Sequence, residues 1–390
     1  MTNNIMPTYN RKPVKFIKGE GVYLYDSTGK KYLDALCGLA VTSLGHSHPL
    51  ITETLKTQSE KLIHTSNAFN IESQEKLAKR LCQLTGMENA FFCNSGAESV
   101  EAAIKIARKF GHDNSHNNPK IIVMSNSFHG RTMGAMSATA NSSSHEAFGP
   151  ILDGLIRIKF NDIDEVNQAI ENYNDISAIL LEPVQGEGGI IPCDKSYLQK
   201  LREICSKNNI LLMIDEVQSG FCRTGKWFSY QHSNIHPDVV MVAKALGNGV
   251  PIGACLASGV AAHVLKAGMH GSTFGGNYLS TSVGLKVLDI MRDTRLCQHV
   301  NDISKVMYDY MNLKLKPLKS VCQIRSCGLM IGIQLNIICT ELVTKALDKG
   351  LVINVTKENV IRLLPPLICE EKHVRSIVDI LEELIRENYE

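Results

Sequence analysis

The chain lacks several features that would settle its class at once. It has no CxxC pair, although it carries 12 cysteines. Most of them stand inside apolar runs, as Cys93 does in "FFCNSG" and Cys255 in "IGACLA". Such a scatter reads as reduced core thiols and not as a disulfide framework. Neither sign of charge is in excess: 41 basic against 39 acidic residues leave a formal +2. That gives no electrostatic case for nucleic acid or an anionic membrane. No uninterrupted apolar stretch approaches the ~20 residues of a membrane span, and the opening "MTNNIMPTYNRK" has no apolar signal core. There is no internal repeat and no low-complexity tract. These absences point to a soluble, cytoplasmic protein with no nucleic-acid or membrane partner, in which any anion is held by a local site.

What is present is ordinary globular composition, 44% hydrophobic and 21% charged, over 390 residues. That length suits about two domains at ~150 residues each. Short apolar runs at 89–94, 120–128, 178–184, 210–217 and 239–245 read as buried strands. Helical patterns at 98–110 and 196–209 lie between them, and the polar 111–120 reads as a surface connection. Alternation of this kind predicts an α/β domain with a mostly parallel sheet flanked by helices. Each run ends on a chemically capable residue: Asn94 and Ser95, Phe128 and His129, Glu182, Asp215, Lys244. Ligands bind outside the carboxyl ends of such strands, so these residues mark a site. The ends of the chain differ. A hairpin at 22–36 turning at Ser27–Lys30, strands at 328–335, 351–355 and 360–367, and an amphipathic helix at 370–388 predict a smaller α+β domain. The division expected is 1–48 and 282–390 for the small domain and 49–281 for the large one.

Four stretches carry chemistry. In "CNSGAESVEAAIK", Ser95 and Glu98 form a capping box at a helix start; with Gly96 the same start suits a phosphate, and the two readings are compatible. In "LLMIDEVQSGFCRTG", Asp215 closes an apolar run, where a carboxylate needs a cation or several donors. It reads as a helix cap, a salt bridge or a cofactor partner. Lys244, in "MVAKALGNGV", lies one β-α-β step further on, opposite Asp215 across adjacent strand ends. An acid and an amine so placed suit a pyridinium nitrogen and an imine-forming lysine. "SNSFHGRTMGAMSAT" offers Phe128 for a ring face and Arg131 for a carboxylate, or a core aromatic and a surface arginine. His46 and His48 in "GHSHP" have no third ligand nearby; a turn before Pro49 explains them, and no metal is expected.

With these stretches in hand, the chain resembles the class III pyridoxal-phosphate aminotransferases of fold-type I. The matching stretches include "YLDALCGLAVTSLGHSHP", "NSGAESVEAAIKIAR", "SFHGRTMGAMSAT", "LEPVQGEGGI", "VAKALGNGVPIGA", "HGSTFGGN" and "VIRLLPPL", in order along nearly the whole chain. The resemblance implies pyridoxal 5'-phosphate as cofactor. Lys244 would form the imine with it and shuttle protons, Asp215 would pair with the ring nitrogen, and Gln218 would reach the ring hydroxyl. Val217 and Phe128 would take the two ring faces. Ser95, Gly96 and Ala97 would hold the phosphate, with Thr273 of a neighbouring subunit, which implies a homodimer with shared active sites. Arg362 would clamp an α-carboxylate, Glu187 would neutralise it when an ω-amine is bound, and Arg131 would take the distal carboxylate, with Ser272 lining the same pocket.

"CGLAVTSLGHSHP" and the compact length look most like family members that act on N-acetylornithine and 2-oxoglutarate, giving glutamate, in arginine biosynthesis. N-succinylornithine, N-succinyl-diaminopimelate, ornithine or 4-aminobutyrate are the alternative amines. Two departures from the family pattern are Ala97, where some members carry Thr, and Phe69–Asn70, where relatives often carry an aromatic pair. A pyridoxal mutase or decarboxylase fits the paired arginines less well, and a non-catalytic relative need not keep Lys244, Asp215 and Gln218 together.

Overall fold

The computed structural model describes residues 4–140 and 142–390. Residues 1–3, which begin the opening segment read above as lacking a signal core, lie outside the described residues. A seven-stranded sheet forms the centre, in the spatial order Asn89–Cys93, Gly253–Ala257, Val239–Val242, Leu211–Asp215, Ile176–Leu181, Lys120–Met124, Leu155–Ile158. All run in one direction except Gly253–Ala257, which is antiparallel to both its neighbours. The apolar runs are continuous because both faces are covered. Ile122, Ile179, Leu181, Leu212, Ile214 and Val240 enter one core; their alternate neighbours Ile121, Ala178, Leu180, Met213 and Val239 enter another. A period-two chain with an apolar residue at every position is what two buried faces require. Helix Gly96–Asp113 covers the second core with small residues, Ala102, Ala103 and Ala107, that let it lie close on the sheet.

Several boundaries differ from the sequence expectation. The expected strand 120–128 stops at Met124, because Asn126 takes a positive φ of 62° and turns the chain. The polar connection is shorter, since the preceding helix continues to Asp113. The step from Asp215 to Lys244 contains no α-helix; the crossover is an irregular segment with one short 3-10 turn, Ser229–Ser233. Gly220, Gly225 and Pro237 punctuate that stretch, and aromatic residues such as Phe221 and Phe228 are packed inside it.

The chain ends build two further four-stranded sheets. In one, Tyr23–Asp26 and Lys31–Asp34 form the expected hairpin, Phe16–Glu20 adds an outer strand, and Leu351–Val352 pairs in parallel with Lys31–Asp34. The other runs Val321–Cys327, Met330–Leu335, Val360–Leu363, Asn354–Thr356. The expected strand 351–355 is therefore divided between two sheets at Ile353. The closing helix spans Glu371–Tyr389 and buries Val374, Ile377, Leu381 and Leu384. Most cysteines are buried and Cys322 is exposed. Among the described residues no helix is long and apolar enough to cross a membrane.

Candidate active site

Five strands of the sheet bring their carboxyl ends to one edge, and the residues that follow them enclose a cavity of about 440 Å³. Ser95, Gly96, Ala97, Phe128, Arg131, Asp215, Val217, Gln218, Lys244 and Glu187 all line it. Lys244 follows Val239–Val242, and Asp215 ends the adjacent parallel strand. The backbone of Lys244 is left-handed, φ 47°, a conformation that costs a non-glycine residue about 1 kcal/mol and tends to gather at functional positions. Its amine makes no hydrogen bond or ion pair with a described residue. Burial holds its pKa below the ordinary lysine value; Asp215 opposes that shift and Arg362 adds to it.

Asp215 is buried and doubly held. Its Oδ2 lies 2.8 Å from His129 Nδ1, and its Oδ1 accepts from the Val217 amide at 3.0 Å. The second carboxylate of this corner, Glu182, accepts from the Phe128 and Gly186 amides at 2.9 and 3.1 Å. Burial pushes its pKa up to about 7. His129 and Glu182 stand at strand ends that the sequence marked as site residues, but it gave neither a particular role. Only the long-range contact of His129 with Asp215, 86 residues apart, gives His129 one.

The start of helix Gly96–Asp113 points its first turn at the cavity. Ser95 Oγ accepts from the Glu98 amide at 3.2 Å, so half of the expected capping box is formed. The other half is displaced by one residue: the Glu98 carboxylate accepts from the Asn94 amide at 2.8 Å and from the Ser95 hydroxyl at 2.9 Å, not from the Ser95 amide. A Cβ on Gly96 would stand 2.6 Å from Val217 Cγ1, so glycine is what allows helix and loop to meet here. Gln218 Oε1 is buried with no hydrogen-bond partner among the described residues.

Arg131 is exposed at the cavity mouth with its guanidinium 5.8 Å from the Phe128 ring centre. Arg362 sits behind the wall, 1% exposed, and its Nη1 donates to Glu187 Oε1 at 2.6 Å. Ser272 and Thr273 are not among the lining residues. Ser272 Oγ instead accepts from Asn94 Nδ2 at 3.2 Å and from the Gly275 amide at 3.0 Å, and Thr273 is exposed. His46 pairs with Asp34 at 2.7 Å, and His48 precedes Pro49 at the start of helix Pro49–Lys61.

Residues 5–385 match the family model "Aminotransferase class-III", and the chain belongs to that family. It is 49% identical over 383 residues to the acetylornithine aminotransferase of Nitrosomonas europaea, covering 98% of each chain. Among solved structures it superimposes on ornithine aminotransferase from Toxoplasma gondii, described with partial occupancy of PLP at its active site, with a TM-score of 0.94 at 30% identity, covering 99% of this chain and 94% of that one. The acetylornithine aminotransferase of Elizabethkingia anophelis gives a TM-score of 0.87 at 33% identity, covering 98% and 96%. The protein is thus an aminotransferase of class III, with the mixed, mostly parallel sheet that fold carries.

Proposed function

We propose that this aminotransferase uses pyridoxal 5'-phosphate to move the δ-amino group of N-acetylornithine to 2-oxoglutarate, reversibly, giving N-acetylglutamate 5-semialdehyde and glutamate. The cavity fits the cofactor on its own chemistry. A helix N-terminus with Gly96 and Ala97 suits a phosphate, an orphaned Gln218 oxygen suits a ring hydroxyl, and a buried Asp215 suits a protonated ring nitrogen. When bound, the cofactor supplies an aldehyde that carries the amino group and a ring that draws electron density from the reacting carbon.

The protein's own groups then have separable tasks. Lys244 Nζ, whose charged form burial disfavours, takes a proton from the amine-bearing carbon in one half of the cycle and delivers one to the keto carbon of the acceptor in the other. His129 Nδ1–H donates to Asp215 Oδ2 and so keeps that carboxylate aimed. Phe128 and Val217 exclude water from the two ring faces.

The observation that carries the transaminase reading is the Arg362–Glu187 pair. The cycle must accept an amine on a CH₂ in one half and an α-amino or α-keto acid in the other. A guanidinium whose carboxylate partner is half-exposed suits that alternation: Glu187 neutralises Arg362 for the first substrate and leaves it for the second. Arg131, with no ion pair to a described residue, is suited to the distal carboxylate of both. Thr273, exposed beside Phe274, which is 61% exposed, supports a homodimer in which each subunit completes the other's phosphate site.

The test is purified protein with 2-oxoglutarate against a panel of acylated and free diamino acids. N-acetylornithine should give the highest kcat/KM. Full turnover of free ornithine with little of the acetylated form would replace the substrate assignment.

A further inference from the structure

Arg362 is fully buried, yet Glu187, its only charged partner among the described residues, keeps 39% of its side chain exposed. If Glu187 leaves, something must keep the guanidinium in place. Asn354 lies directly opposite Arg362 on the neighbouring antiparallel strand. Its Oδ1 accepts from Arg362 Nε at 3.1 Å and from Nη2 at 2.7 Å. It therefore occupies one whole edge of the guanidinium fork, while Glu187 takes only Nη1 on the other side. The same short strand also fixes the backbone of Glu187, because Thr356 Oγ1 donates to the Glu187 carbonyl at 2.6 Å. Arg325 pins the next residues by donating to the carbonyls of Gly189 and Ile190, at 2.8 and 3.1 Å. The Glu187 main chain is thus held, and its side chain is the part free to swing.

We infer that Asn354 is the positioning residue that makes Arg362 a selective α-carboxylate site: a neutral, permanent acceptor that fixes the fork while leaving its charge unspent. The inference rests on the proposed alternation of Glu187 and substrate at Arg362. An amide and a carboxylate offer the same oxygen to Nε and Nη2, but only the amide leaves the arginine's positive charge for an incoming anion. A permanent acid would neutralise Arg362 in both halves of the cycle. Loss of the acceptor altogether would leave two buried donors unpaired and the fork unaimed.

The test uses the holoenzyme with Asn354→Leu, Asn354→Asp and Arg362→Ala, in steady state and by calorimetric binding of glutarate, a dicarboxylate with no reacting group. Asn354→Asp keeps the size of the native side chain and so guards against a simple failure to fold. The expected result for Asn354→Leu is a roughly tenfold rise in KM for 2-oxoglutarate and glutamate, a comparable loss of glutarate affinity, and a KM for N-acetylornithine within about twofold of the parent. Asn354→Asp should lose 2-oxoglutarate more severely than Asn354→Leu, although it restores the acceptor oxygen. Normal 2-oxoglutarate binding in Asn354→Asp, or equal losses on both substrates in Asn354→Leu, overturns the role of Asn354 while a selective defect in Arg362→Ala leaves the alternation standing. An Arg362→Ala enzyme with no selective defect overturns both.

Discussion

At the scale of single residues, the site is a set of charged groups whose usual solvation has been removed and only partly replaced. Lys244 shows this most directly, since burial has lowered its pKa and no acid bonds to its amine. Replacing it with alanine removes the only amine that lines the cavity among the described residues. Lys244→Ala should reduce transamination by more than about a thousandfold, measured by glutamate formation, while the folded enzyme still binds cofactor noncovalently. Retained turnover would move the chemistry to another residue.

His129 offers a finer test. It gives Asp215 one of its two hydrogen bonds, and a bond to a buried charge is worth about 1.5–3 kcal/mol. His129→Ala should therefore weaken cofactor binding by roughly tenfold to a hundredfold, read as the cofactor needed for half-maximal activity and by the change in cofactor absorbance on titration. Binding equal to that of the parent would mean that the Val217 amide alone suffices to hold Asp215.

At the scale of elements, the sequence made some of the architecture readable and hid the rest for identifiable reasons. The runs at 178–184 and 210–217 were legible as strands because both faces of the sheet are buried, so every position is apolar. Gly253–Ala257 was not, since "GACLA" is short and small and its antiparallel direction is a matter of partners and not of pattern. The stretch 351–355 looks like one strand because nothing local marks Ile353 as the place where the chain leaves one sheet for another. For the same reason Asn354 was invisible as a partner of Arg362. Only the hairpin register, Thr356 opposite Val360 and Asn354 opposite Arg362, brings them together. Lys244, Asp215 and the Ser95–Ala97 start were legible because each breaks a local rule: a lone lysine and a lone acid at the ends of apolar runs, and a glycine in a helix's first turn.

That glycine makes an element-scale prediction. Alanine at a helical position favours the helix by about 1 kcal/mol over glycine. Its Cβ at Gly96, however, would press to 2.6 Å from Val217 Cγ1, and such overpacking costs about 1–3 kcal/mol. Both effects act on stability and largely offset, whereas the displacement of Val217 falls on the cofactor site. Gly96→Ala should leave the thermal midpoint of the apoprotein within a few degrees of the parent, and cofactor affinity should fall about tenfold as Val217 is displaced. An apoprotein that melts much earlier, with cofactor affinity unchanged, would mean that the contact matters only to folding.

At the scale of the whole molecule, the crossover between Asp215 and Lys244 buries a second acid that the reaction does not use. Glu216 accepts from Ser219 Oγ at 2.6 Å and from the Tyr230 amide at 2.9 Å, which fastens the irregular segment to the end of its strand. Burial pushes its pKa from 4.5 to about 7. The unfolded chain thus loses this proton near pH 4.5 while the folded chain keeps it until about 7. Stability from this group is complete below pH 4.5, declines as the pH rises between those values, and is flat above them. The difference corresponds to about 3 kcal/mol. Glutamine keeps an oxygen for the Tyr230 amide and can donate to Ser219 Oγ, but it does not titrate. Glu216→Gln should therefore melt close to the parent at pH 4.5 and progressively higher than the parent up to pH 7–8, where the gap levels off. Glu182, unchanged in both proteins, cancels from that comparison. Two melting curves that run parallel across this range would mean that Glu216 is ionised in the fold throughout, its charge carried by the Ser219 and Tyr230 donors alone.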